Sequence, residues 1–469
     1  MTDLPYETIA GLAERLRSGE LSPLALTDAA LAQIDRWRAL NAFITVTADL
    51  ARAQAAEAAR EIAAGRYRGL LHGVPVSLKD LIDTRGIRTT CGSRVLADHV
   101  PAHDATVTVR LREAGAVLLG KAALHEFAYG ITNNNAYFGP TCNPWGLDRI
   151  PGGSSGGGGA AVAAGLGCAS IGTDTGGSIR IPAALCGVVG LKPSYGRVST
   201  YGVFPLSWSL DHPGPLTRTV EDAAIVLQAI AGPDPHDRTT LGHTVPDFRA
   251  AVRAEVRGLR VGIFDDPYHR QMEHGVRIAF EAALDVLRGL GLRLETVTLP
   301  HMPETFAAQL AIIQAESASV HERWLRERPQ DYGPETLERL RHGLFITAPQ
   351  YLRAQKLRAL ALEEYGELFR RLDALVLPSV PAVAPRIGQD TIDLGGEVLE
   401  TRGVITRFSR LFNFVGAPAL SVPCGFGADG LPVGLQIAGR PMDEETVIAI
   451  GGAYERATPW HTRRPPEPE

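Results

Sequence analysis

Lysine is scarce in this chain: of 47 basic residues only Lys79, Lys121, Lys192 and Lys356 are lysines, and the rest are arginines. Arginine supplies a permanent charge but cannot give up its proton in a protein, so the few lysines mark places to look for proton chemistry. Cysteine is sparse too. Cys91, Cys142, Cys168, Cys186 and Cys424 are odd in number and widely spaced, which excludes a disulfide framework and a CxxC metal site. His125-Glu126 has no second histidine in register, so a zinc hydrolase of the HExxH type is excluded as well. No run of Lys and Arg interrupts a net charge of −5, so the footprint of a nucleic-acid binder is missing. No 18 apolar residues run together, and the first twenty, with Asp3, Glu7 and Glu14, lack the basic-then-apolar order of a signal peptide. The chain is therefore expected to be cytoplasmic, with neither nucleic acid nor membrane as a partner.

What is present is core. With 469 residues, 45% of them hydrophobic, the chain can bury a large interior, as one layered domain or as about three smaller ones. Ser22-Pro23 reads as an N-cap with proline at the first helical position, and residues 48 to 64 are alanine-rich, so residues 1–65 are expected to form a helical layer. From Gly69 the short apolar runs GVPVSL, GAVLLG, CASIGT and CGVVGL alternate with helical stretches such as DATVTVRLREAG, an α/β pattern. Thr219 to Asp222 reads as a capping box for a helix through Ile230. GLRVGIF and LRLETVTL read as strands around a helix from about Glu273 to Leu290. Residues 305 to 371 read as mainly helical with a break at ERPQDYGPE. LDALVLPSV, PALSVPCGF and VGLQIAGR return to strand, and the tail RRPPEPE is expected to fray. The expected division is 1–65 helical layer, 66–245 core, 246–371 helix-rich region shaping the substrate, and 372–469 return to the sheet, in one compact domain overall.

The densest chemical signal is PGGSSGGGGA, residues 151 to 160. Glycine admits positive φ and close backbone approach, so this segment is expected to present main-chain N–H groups to something negative. A phosphate is one candidate, although GxxxxGK[ST] is missing; a glycine-rich anion-binding module without hydrolysis follows from it. A developing oxyanion in acyl transfer is the other, with Ser154, Ser155 and Ser178 as the available hydroxyls. Gly152 to Gly156 also fits GxSxG, the elbow of α/β-hydrolases, which would require a histidine downstream.

GVPVSLKD (73 to 80), GGSSGG (152 to 157) and GTDTGGSIRIPAALCGVVGLKPSYGRVS (172 to 199) resemble the amidase signature family, in order and at the right separations. The likeness extends to FGPTCNPW and NFVGAPALSVPCGF and weakens over residues 265 to 370. It implies a large mixed twisted β-sheet covered by helices on both faces, and a Ser–cis-Ser–Lys triad at Ser178, Ser154 and Lys79. Ser178 would attack, Ser154 would relay its proton, and Lys79 would be the final base. That role requires the lysine pKa to fall from about 10.4 toward about 7–8, about 4 kcal/mol of desolvation. The resemblance places the oxyanion hole on the N–H groups of Thr175, Gly176, Gly177 and Ser178, and the acyl pocket beside Ala128. Ser155 is expected to support the turn as a helix cap, Asp174 and Arg180 to clamp the nucleophile loop as an ion pair, and Lys121 and Lys192 to tie down loops.

The main expectation is a stand-alone hydrolase of a carboxylic amide, or an anilide, ester or carbamate. It would need no metal or organic cofactor, would take a small-molecule substrate, and leaves a homodimer open. The alternative is the family's glutaminase component of the glutamyl-tRNA(Gln) amidotransferase, which works in a complex. The resemblance implies that this alternative needs a Tyr near Gln309 or Leu310 and an Asp near Thr406, both missing here, and an Arg near Arg339.

Overall fold

The computed structural model describes residues 4–265 and 267–468. Asp3 and Glu469, the last residue of the tail expected to fray, lie outside them. The architecture is α/β, as expected: a mixed sheet of eleven strands flanked by helices.

The strands are β1 (Phe43–Val46), β2 (Pro75–Lys79), β3 (Val117–Ala122), β4 (Ala169–Asp174), β5 (Val189–Lys192), β6 (His212–Thr217), β7 (Arg260–Phe264), β8 (Arg293–Val297), β9 (Ala374–Pro378), β10 (Ala419–Phe426) and β11 (Pro432–Ala438). Their order across the sheet is β1-β3-β2-β4-β6-β5-β10-β11-β9-β7-β8. β2 runs parallel to both β3 and β4, whereas β4, β6, β5, β10 and β11 pair antiparallel in succession. Nearly every position of the central strands is buried, which is why they read as continuous apolar runs without alternation.

Side chains alternate across β4, and that alternation shows the two layers. Ser170 faces the helix Gly156–Ala163, where a Cβ on Gly158 would come within 2.6 Å of its hydroxyl. Ile171 belongs to the large core cluster that includes the helix Val220–Ile230. Helices therefore cover both faces.

Ser22 accepts from Leu24 N–H and Pro23 opens a helix to Arg36, as its sequence requires. The first 65 residues are not wholly helical. Phe43–Val46 forms an edge strand antiparallel to β3, a run of four residues too short for its period to stand out. At the opposite edge the helix-rich region contributes β7 and β8, so the sheet is shared by all four expected segments. Thr219 caps Asp222 N–H, but the Asp222 carboxylate accepts from Ile9 N–H at 2.8 Å instead of closing the box. The tail is docked as far as it is described: Arg464 lies over the Tyr6 ring at 4.4 Å and Glu467 pairs with Arg36. Among the described residues no helix is long and apolar enough to cross a membrane.

Candidate active site

Lys79 is the last residue of β2, where the parallel register with β4 carries it to the level of Gly172 and Thr173. Its amine is completely enclosed. Nζ lies 2.7 Å from Ser154 Oγ, 2.9 Å from Thr173 Oγ1 and 3.5 Å from the Thr173 carbonyl. Burial lowers its pKa to about 7, against the opposing pull of Asp211 and Asp174. A neutral amine donates two protons and accepts one, so the two Thr173 oxygens and the Ser154 hydroxyl match its hydrogen-bonding capacity.

Ser154 follows a cis peptide bond from Gly153. Ser155 stands at the cap position of the helix Gly156–Ala163 yet makes no side-chain cap. Its hydroxyl instead donates to the Thr173 carbonyl at 3.1 Å and accepts from Thr173 N–H at 3.3 Å, fastening the serine turn to β4. Glycine at 172 makes room for this, since a Cβ there would lie 2.7 Å from Ser155 Oγ.

Three N–H groups of the glycine run go to protein acceptors and not to an anion. Gly156 N–H donates to Asn133 Oδ1, Gly157 N–H to the Ala123 carbonyl and Gly159 N–H to the Ser155 carbonyl. The glycines serve packing: a Cβ on Gly157 would come within 2.5 Å of backbone atoms of Ala123 and Ala42. Removing the side chains lets this helix lie directly on the neighbouring backbone.

Ser178 ends the loop Thr175–Gly176–Gly177 that follows β4. The loop is held by its carbonyls. Gln309 Nε2 donates to the Thr175 carbonyl at 3.2 Å, Ser409 Oγ to the Gly176 carbonyl at 2.7 Å, and Ile181 N–H to the Gly177 carbonyl at 2.7 Å. Because each peptide plane points its N–H opposite its carbonyl, these three bonds set where the N–H groups aim. Gly177 N–H is already engaged by Asp174 Oδ1 at 2.8 Å, so of the expected oxyanion donors it is the one not free. Gly176 faces open space: the nearest atom to a Cβ built on it is Arg410 Cγ, 3.8 Å away. The Ser178 hydroxyl has no hydrogen-bond partner among the described residues, and its link to the serine turn runs through its carbonyl, which accepts from Ser155 N–H at 3.2 Å.

Beneath the loop, Asp174 and Arg180 form a fully buried ion pair. Arg180 Nη2 and Nε reach the two carboxylate oxygens at 2.8 and 3.0 Å, and its remaining donors go to Asn413, Gln436 and the Ser409 carbonyl. All five N–H groups are satisfied, the condition under which a buried guanidinium is tolerated. Burial alone would raise the Asp174 carboxyl, but Arg180 overcomes it and holds the group well below the usual carboxylate range.

Lys121 Nζ donates to the Ile82 carbonyl and Thr89 Oγ1, each at 2.6 Å, and Lys192 Nζ to the Pro193 carbonyl at 2.9 Å, so both tie loops in place. Ala128 sits in a left-handed turn (φ 59°), linked to the serine turn through His125, whose N–H donates to the Ser154 carbonyl. Among the described residues no histidine side chain bonds Ser154 or Ser178, so the GxSxG elbow is not built.

Several participants escaped sequence reading. Thr173 completes the cage around Lys79. Asp211 accepts from the Thr175 hydroxyl and from Leu206 and Ser207 N–H, while burial lifts its carboxyl to about 7. Gln309, Ser409 and Asn413 arrive from more than a hundred residues away, and no local pattern marks them. Arg402 and Arg410, half-buried beside the loop, carry no signal in a chain this rich in arginine.

Comparison with known proteins identifies the family and the fold. The family model described as amidase matches residues 25–448. The glutamyl-tRNA(Gln) amidotransferase A-type subunit of Roseiflexus sp. (strain RS-1) is 44% identical over 492 aligned positions, covering 100% of both chains. Among solved structures, a vestigial protein complex described as revealing the evolutionary origins of an s-triazine catabolic enzyme superposes with a TM-score of 0.92 at 35% identity, covering 96% of this chain and 98% of that one. The corresponding glutamyl-tRNA(Gln) amidotransferase chain of Thermotoga maritima superposes at 0.82 and 37% identity, covering 98% and 96%.

Proposed function

The chain belongs to the amidase family, and from that premise we propose that it cleaves a carboxylic amide through an acyl-enzyme on Ser178. Ser178 Oγ attacks the carbonyl carbon while its proton passes to Ser154 Oγ and the Ser154 proton to Lys79 Nζ. The tetrahedral oxyanion is received by the N–H groups of Gly176 and Ser178, with Thr175 beside them. Lys79 then returns the proton through Ser154 to the leaving amine, and water, activated by the same relay, releases the acid. The observation that carries this reading is the 2.7 Å contact between Ser154 Oγ and a lysine amine whose pKa burial lowers to about 7. A base must be neutral in a useful fraction at the working pH, and this one is.

The full-length likeness to curated relatives named as glutamyl-tRNA(Gln) amidotransferase A-type subunits supports the amidotransferase reading over a stand-alone amidase. In that reading the amide is glutamine and the ammonia goes to partner subunits. A stand-alone amidase is favoured by two positions. Gln309 spends its amide on the Thr175 and Arg410 carbonyls, and Thr406 Oγ1 is bonded to the Arg402 carbonyl of its own helix, so neither offers a carboxylate to an α-ammonium. Ammonia release from glutamine and from simple primary amides, with Ser178→Ala as the blank, tests the chemistry. Co-purification of partners with the native chain then separates the two settings, and no turnover of any amide by the wild type would overturn both. All five cysteines are unpaired, which supports a reducing, intracellular setting.

A further inference from the structure

Arginine is so common in this chain that most of its copies mean little. Arg402 and Arg410 differ from the others in position and in what surrounds them. Arg402 belongs to the helix Thr401–Thr406 and Arg410 opens the helix Arg410–Phe414, both in the segment that holds the nucleophile loop from outside. Arg410 Cγ is the nearest atom to the open side of Gly176. Arg402 Cζ lies 5.6 Å from the centroid of the Tyr129 ring, one residue beyond Ala128.

Neither guanidinium has an ion-pair partner or a side-chain hydrogen bond among the described residues. Of the nearby carboxylates, Glu335 pairs with Arg339, and Glu400 caps Gly403 N–H at 3.0 Å without forming an ion pair with either arginine. Arg339 is a third cation over the same Tyr129 ring, at 6.0 Å, but it is neutralised by Glu335 and donates to the Tyr129 carbonyl. The Tyr129 hydroxyl, in turn, forms no well-aligned hydrogen bond in the protein. Burial, followed by the mutual repulsion of Arg339 and Arg410, lowers Arg402 to about 10, and burial lowers Arg410 as well. Both remain charged at neutral pH. Two crowded, half-buried cations, with the Glu400 carboxylate acting on them only from beyond ion-pair distance, form a site that an anion would relieve.

We propose that Arg402 and Arg410 form a carboxylate-binding subsite beside the Ser178 loop, so that the preferred substrate is an amide carrying a carboxylate elsewhere in the molecule. This inference rests on Ser178 being the nucleophile and adds the charge class of the substrate. A bidentate guanidinium contact fixes a carboxylate in both distance and plane, which would aim the amide carbonyl at the loop. Glutamine and the monoamides of short dicarboxylic acids share that group. Only the second kind lacks an ammonium, so comparing the two reads the carboxylate contact by itself.

The test compares malonamate, succinamate and glutaramate with propionamide, butyramide and valeramide on the purified full-length enzyme. The subsite predicts that the best acid amide exceeds its neutral counterpart at least a hundredfold in kcat/KM. Arg402→Gln and Arg410→Gln should each raise KM for acid amides and lower the acid-to-neutral ratio of kcat/KM tenfold or more, and Arg402→Lys should recover part of that ratio. Equal turnover of acid and neutral amides, or a loss in Arg402→Gln that is the same for both, overturns the proposal while leaving the hydrolase reading intact. Binding of succinate and glutarate to Ser178→Ala by calorimetry reads the subsite without catalysis. Dicarboxylate binding lost in Arg402→Gln but with no amide turnover by the wild type would keep the subsite and sink the hydrolase. No dicarboxylate binding at millimolar concentration sinks the subsite.

Discussion

Lys79 and Ser154 face each other across 2.7 Å in a compartment from which solvent is excluded, 1% and 0% of their surfaces remaining accessible. A charged lysine in such a place is costly: moving the pKa from 10.5 to about 7 separates the two protonation states by about 5 kcal/mol. The enclosure therefore makes an amine that is half neutral near pH 7 and already hydrogen-bonded to the hydroxyl it would deprotonate.

The pH profile follows with a definite sign. Lys79 works as a base only when unprotonated, so kcat/KM should fall tenfold per pH unit below about 7 and level off above it. Asp211, where ionised, raises the lysine pKa, so Asp211→Asn should move the midpoint to lower pH. Initial rates from pH 5 to 9 on both proteins check this.

Stability should respond to the same group. The folded-state pKa lies below the unfolded value of 10.5, so Lys79 destabilises the protein fully below about pH 7 and not at all above about pH 10.5. Lys79→Met should abolish turnover, yet it should unfold at higher urea than the wild type at pH 6 and lose that advantage as the pH approaches 10. Urea titrations at three pH values measure the trend.

The clamp under the nucleophile loop is structural. Asp174→Asn leaves Arg180 buried with no charged partner, an expected loss of about 3–5 kcal/mol. Its replacement should lower the urea midpoint and shift Gly177 N–H out of its bond to residue 174, so activity and stability should fall together.

Glycine substitutions separate packing from propensity. Gly157→Ala would drive a Cβ within 2.5 Å of main-chain atoms and is expected to cost several kcal/mol or prevent folding. Gly366→Ala, in the exposed last turn of the helix Ala348–Leu368 with nothing within 4 Å, should stabilise by up to about 0.5–1 kcal/mol. Thermal unfolding of the two variants should move in opposite directions.

What sequence made legible was local. Ser22-Pro23, the apolar runs of β2, β3 and β4 and the GTDTGGS loop each carry their signal within a few residues; the scarcity of lysine marked four candidates, and the family resemblance singled out Lys79. Three of the four lysines are buried, in line with that scarcity, although two of them only fasten loops. Sequence could not separate the two uses of the glycine run because permissive φ and absent side chains leave the same trace in the chain, and only the neighbouring Ala123 and Ala42 backbone distinguishes them. It missed Asp211, Gln309, Ser409 and the Arg402–Arg410 pair because their meaning lies in a fold that brings residues far apart in the chain to one loop.

The most direct test of the central claim is intact-mass analysis after reaction with an activated acyl donor, followed by peptide mapping of the adduct. A single acyl group on Ser178, absent from Ser178→Ala and formed at least a thousandfold more slowly in Lys79→Met, is the predicted result. An adduct on Ser154, or one that persists when Ser178 is alanine, would contradict the account.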